Sequence, residues 1–154
     1  MADWTTPKTW AYKEALSSTD MNTYVKNNLS HIYNAITTWT AWVPTFTGFS
    51  SIPSGYTSRY IQFGKFVFWK FYPGSDGTSN ATTFTMTLPI TSGASAIIRH
   101  LCQVTNSGTS QADAGLLYIG NNGTTCAIYR TLAGGGFTAS GGKNVAFSIW
   151  YETA

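Results

Sequence analysis

The sequence predicts a mainly β protein: an antiparallel β-sandwich of jelly-roll-like form with about eight strands, preceded by an N-terminal arm and one α-helix. Three observations lead there. From residue 43 onward the apolar residues follow period two, in short runs rich in β-branched and aromatic side chains. A single earlier stretch follows the helical period instead. The 154 residues are 16% aromatic and 10% charged, unlike the charged, aromatic-poor make-up of a disordered chain or the Ala/Glu/Lys/Leu-rich make-up of a helical bundle. A chain of this length forms one principal domain and buries roughly 68 to 70% of the surface its unfolded form exposes, enough for a core without staples.

The chain divides near residue 40, into an arm and helix (1–40) and a β-sandwich head (41–154). Residues 1–16 form an irregular arm with Pro7 and three large aromatics, Trp4, Trp10 and Tyr12. Leaving such side chains in water is unfavourable, so the arm is expected to lie on another surface, its own domain's or a neighbour's. Residues 17–37 read as the helix. Ser17 followed by Asp20 resembles a capping box, and Asp20 faces the positive end of the helix dipole. Apolar residues recur at Met21, Val25, Leu29, Ile32 and Ile36, opposite Lys26, Asn27, Ser30 and Asn34. The seam Val25, Leu29, Ile32, Ile36 has the 4-3-4 spacing of a coiled-coil core. It serves either as an interface between copies of the chain or as the inner face of a helix packed on its own sheet.

Eight strands are expected at Thr45–Phe49, Tyr60–Phe63, Phe66–Tyr72, Thr83–Leu88, Ala96–Val104, Leu116–Gly120, Thr125–Leu132 and Val145–Tyr151. In the last, Val145, Phe147, Ile149 and Tyr151 face one way, and Ala146, Ser148 and Trp150 the other. Gly and Pro clusters punctuate the runs. Asn121-Asn122-Gly123 suggests a type I′ hairpin, which needs positive φ at its central residues.

Chemistry-bearing residues are few. The carboxylates are Asp3, Glu14, Asp20, Asp76, Asp113 and Glu152, each with a sufficient structural role in the arm, a cap, a turn or a loop. No nucleophile elbow is present, and Gly134-Gly135-Gly136 leads into a strand rather than a helix, so it lacks the dipole of a phosphate-binding loop. The expectation is no enzyme, no cofactor and no metal. Cys102 and Cys126 lie in apolar stretches and read as buried free thiols. The charge of +3 comes without a Lys/Arg cluster, which argues against nucleic acid. No run of about 18 apolar residues predicts a membrane helix, and Met1–Trp10 has no signal-like apolar run. Aromatics near turns, Tyr56, Tyr72, Tyr118 and Phe137, are candidate ligand contacts, for instance with sugar rings. A free-standing carbohydrate-binding module is therefore the alternative function.

The N-terminal third, through Trp4, Pro7, Trp10, Leu16, Ser17, Asn22, Asn28 and Leu29, resembles a pattern found in structural proteins of tailed bacteriophages. There a short Trp-x-Thr-Pro arm leads to a second Trp and then to a Ser/Thr-capped helix. The segment Arg59–Phe68 and the strand ending in Leu88-Pro89 are similar to the β-heads of phage fibre, baseplate and capsid-decoration proteins. The sequence departs from the pattern between Trp10 and the helix, where Ala11-Tyr12-Lys13-Glu14 contains no Gly. The resemblance implies a virion protein, usually a homotrimer, meeting other capsid or tail proteins; capsid cementing and adhesion to a host-surface carbohydrate are both open to it. It would place Val25, Leu29, Ile32 and Ile36 at the oligomer interface and Trp4, Trp10 and Tyr12 at the anchoring surface.

Overall fold

The computed structural model describes residues 4–95 and 97–154. Two compact units make up the chain, Met1–Thr38 and Trp39–Ala154. Asp3 and Ala96, the expected start of the fifth strand, lie outside the described residues.

In the first unit the helix occurs where the apolar period put it, but it is not uniform. It is α-helical at Ser18–Asp20, π-helical at Met21–Lys26 and α-helical again at Asn27–Thr37. Ser17 is its N-cap: the hydroxyl accepts the Asp20 N–H at 3.0 Å and donates to the Asp20 carboxylate at 2.6 Å. This satisfies one of the donors that every helix start leaves orphaned. The π stretch closes with the Asn27 N–H donating to the Asn22 carbonyl, a five-residue step.

Among the described residues the second unit contains eleven strands: β1 (Thr40–Ala41), β2 (Phe46–Thr47), β3 (Thr57–Phe63), β4 (Phe66–Tyr72), β5 (Gly77–Thr78), β6 (Phe84–Thr87), β7 (Ile98–Asn106), β8 (Thr109–Ser110), β9 (Gly115–Ile119), β10 (Thr125–Tyr129) and β11 (Gly142–Glu152). Each of the eight expected runs overlaps one of them, and β3, β7, β9 and β11 extend beyond the expected bounds. The additions, β1, β5 and β8, are two residues long and too short to show a period. All pairings are antiparallel, and they join into one sheet of order β1-β3-β4-β11-β7-β9-β10-β6-β2, with β5 on β11 and β8 on β7.

One continuous sheet replaces two separate leaves because its two longest strands change partners along their length. β11 pairs with β7 through Lys143–Ala146 and with β4 through Phe147–Glu152. β7 in turn pairs with β9 through Ile98–Cys102. The sheet must also curl. β1 and β2 stand at its opposite ends, yet Ala41 and Phe46 are five Cα steps apart, a reach of at most about 18 Å. The side chains show the same closure: Phe46 of β2 meets Phe71 of β4 edge-on at 5.9 Å, and the Trp42 indole donates to the Thr87 carbonyl at 3.2 Å.

The core lies inside the curl. Val67, Trp69 and Phe71 of β4 face Phe84 and Met86 of β6, Leu117 and Ile119 of β9, Ile128 of β10 and Ile149 and Tyr151 of β11. The period-two alternation expected of the last strand holds from Val145 to Tyr151, and before it Asn144 is buried as well as Lys143. The Lys143 ammonium donates to the Ser79 carbonyl at 2.6 Å, and burial pulls its pKa down. Cys102 and Cys126 are buried and free, and burial pushes both thiols up to about 12.

The β9–β10 connection corrects one expectation. Its turn is closed by the Gly123 N–H on the Gly120 carbonyl, so its central residues are Asn121 and Asn122. Of these, Asn122 alone has positive φ, at 49°, and the turn is not type I′. A neighbouring loop dictates this shape: Gly93 accepts the Asn122 N–H, and the Ser92 hydroxyl accepts that of Gly123.

Candidate functional site

The first unit is held together by polar ties. The arm runs antiparallel to the helix, with Trp4 edge-on to His31, Trp10 edge-on to Tyr24, and Lys8 bridging Glu14 and Asp20. Its central fastening is Asn28. The side-chain amide accepts the Thr5 N–H at 2.9 Å and donates to the Thr5 carbonyl at 2.8 Å and to the Tyr24 carbonyl at 3.1 Å. One side chain thus pairs with a backbone unit of the arm as a strand would, while also satisfying a carbonyl of the π stretch. Among the described residues of this unit, Asn28 is the buried one.

The ion cluster fixes the path between arm and helix. Lys8 also lies 4.7 Å from the centroid of the Trp10 ring. Glu14 accepts the Ala11 N–H at 2.9 Å as well as the Lys8 ammonium, and these bonds hold its carboxyl below the usual range. Lys13 takes positive φ, at 60°, in the turn that brings Glu14 back to Ala11. A Gly would take that conformation without strain, and it is at this turn that the arm lacks one.

The apolar side chains of the unit face outward. Val25, Leu29, Ile32 and Ile36 are 36, 61, 37 and 55% exposed, and Met21, Leu16 and Tyr33 are exposed beside them. Leu29, Ile32 and Ile36 belong to the α-helical part, where steps of three and four keep a common face. Val25 belongs to the π-helical part, whose wider turn moves it off a strict seam. Of the arm aromatics, Trp4 and Trp10 each rest one edge on the helix and stay partly exposed, and Tyr12 stands almost fully in solvent.

The four head aromatics are not brought together. Phe137 is 3% exposed and packs on Phe84 at 5.1 Å, so its ring belongs to the core and presents no face to a ligand. Tyr56 is half-buried against Phe46 and Phe71. Tyr118 lies in a hollow with Arg99, Leu116 and Tyr129. Tyr72 is exposed on the outer face, at a different hollow, beside Gln103 and Ala146. Asp76 accepts from the Asn144 amide, and Asp113 borders a hollow with Gln103 and Gln111. Sequence reasoning missed Asn28 as a fastening, because an Asn within a helix gives no sign of what it binds. It also missed the hollow at Ala146, although the small outward residues Ala146 and Ser148 of the last strand were its visible signal.

No protein-family model matches this chain, and no curated protein matches it. Among the described residues no helix is long and apolar enough to cross a membrane.

Proposed function

We propose that this chain is a non-enzymatic structural protein of a tailed-bacteriophage particle, a homotrimer at the virion surface. The head faces outward as a jelly-roll-like sandwich, as in capsid decoration proteins or fibre heads, and the first unit attaches to other virion proteins. The observation that carries the assembly reading is the apolar helix face of a unit whose described residues form no apolar core. Leu29, Ile32 and Ile36 occupy successive core positions of a coiled-coil repeat, the arrangement that identical helices pack by interlocking. Each such side chain, once buried, contributes about 1.5 to 3 kcal/mol. Three copies also turn a weak contact with the particle, through Trp4, Trp10 and Tyr12, into a strong one by raising effective concentration. The arm–helix pattern of Trp4, Pro7, Trp10 and Ser17 supports the assignment to a phage particle.

The mass of the protein in solution tests the assembly. Three chains per particle are expected at micromolar concentration, and a fragment lacking residues 1–38 should be a folded monomer. A strict monomer of the whole chain would overturn the reading.

A further inference from the structure

The outer face of the sheet carries a trough where β11 passes from one partner to the other. The register sets Ala146 opposite Gln103 of β7 and Phe147 opposite Phe71 of β4, which brings Tyr72 to the rung of Ala146 on the other side. One rung on, Ser148 stands opposite Lys70. The outward residues of the central strand are therefore small, Ala146 and Ser148, while those of its neighbours are long. A floor results, flanked by Tyr72 and Lys70 on one side and Gln103 on the other. Three hollows in the surface meet at Gln103 and Ala146. Beyond Ser148 the floor rises at Trp150, whose ring stacks on Phe66 at 6.0 Å. Tyr72 and Gln103 border the same two hollows together with Ala146.

We propose that this trough binds a neutral oligosaccharide. Tyr72, 68% exposed, offers a ring face for the C–H side of a sugar together with a hydroxyl. Gln103 offers an amide that both donates and accepts and Ser148 a hydroxyl at the floor, while the Lys70 ammonium lies 5.9 Å from the centroid of the Trp39 ring. Carboxylate and ammonium are both represented, Asp113 at one end and Lys70 at the other, so no single sign of charge dominates. The proposal is independent of the assembly reading, since none of these residues belongs to the first unit.

The test is an array of neutral oligosaccharides of glucose, galactose, mannose, rhamnose and N-acetylglucosamine, printed beside sialylated and uronate glycans and probed with the whole chain. The best neutral ligand is then titrated by calorimetry. The wild-type chain should bind at least one neutral glycan. Tyr72→Ala should weaken that binding about tenfold, Ala146→Leu should abolish it by filling the floor, and Tyr118→Ala should leave it unchanged. If Ala146→Leu does not fold, Tyr72→Ala alone decides. Absence of neutral binding at millimolar glycan, binding confined to acidic glycans, or an affinity indifferent to Tyr72→Ala would overturn the proposal. The mass of Tyr72→Ala should equal that of the wild type, which separates failure of this site from failure of assembly.

Discussion

The head and the first unit solve the same problem in opposite ways. In the head, Val67, Trp69, Met86, Leu117, Ile119, Ile128 and Ile149 are wholly enclosed, and the polar groups that go inside are satisfied locally, as when the Trp69 indole donates to the Ser58 hydroxyl at 3.0 Å. In the first unit the inside position belongs to a polar side chain, Asn28, and the apolar ones face out. The head is stabilised chiefly by burial. The first unit is ordered by hydrogen bonds and ion pairs whose net worth in water is modest. The difference teaches that exposed apolar residues carry different weight in the two regions. On the head they accompany a complete core, whereas in the first unit they are nearly all the apolar surface there is.

The largest effect is expected from charging the helix face. Leu29→Asp with Ile32→Asp should remove about 3 to 6 kcal/mol of association per chain and convert the oligomer to monomers by sedimentation. The thermal transition of the head should stay in place, and an unchanged oligomer would refute the seam. Next in size is the head's own core. Trp69→Ala opens a cavity and leaves Ser58 without its partner, at a cost of about 3 to 5 kcal/mol, a large share of a typical domain's stability. Urea denaturation should show it, with the helix signal of the first unit unaltered.

A smaller effect is expected at the fastening. Asn28→Ala leaves the Thr5 N–H and carbonyl without their partner, about 1 to 3 kcal/mol, and should appear as faster amide exchange at Thr5 and faster proteolysis of the arm, with no shift in the head. The last effect is nil near neutral pH and grows with alkalinity, and it belongs to the head. Cys102 and Cys126 remain protonated in the fold to about pH 12, whereas unfolded thiols titrate near 9. The folded state therefore holds more protons above pH 9, and stability falls as pH rises from there. Tyr151, also pushed up by burial, adds to the decline above 10, while Lys143, pulled down, acts in the opposite sense just below 10.5. Urea midpoints between pH 8 and 11 should decline from about 9, and later in a chain carrying Cys102→Ala and Cys126→Ala.

What the sequence made legible follows from which forces are local. Period-two runs such as Phe66–Tyr72 and the Ser17 cap are set by neighbours in the chain, and both were read at their positions. The curl of the sheet was not, because it depends on β11 and β7 changing partners, a matter of distant pairing. The π stretch escaped for a related reason: Met21–Lys26 contains nothing unsuited to an α-helix, and its wider turn goes with Asn28 binding Thr5, 23 residues away. Phe137 was misplaced as a ligand contact because proximity to a glycine loop says nothing of which way a ring turns. Of the trough, Tyr72 was visible as an aromatic near a turn, but its companions Gln103 and Ala146 are neighbours through register alone.

The double membership of β11 bears on how the head comes into being. Its segment 142–152 is the seam between the part of the sheet ending at β1 and the part ending at β2, and its partners on β4 lie some 80 residues earlier in the chain. Until that segment has been synthesised, the inner faces of β4 and β7 each lack the strand that covers their open edge. Contacts of such long range form slowly because loop closure must precede any gain from pairing. Refolding of the head should therefore be slow and all-or-none, with β4 and β7 becoming protected from amide exchange in the same step as β11.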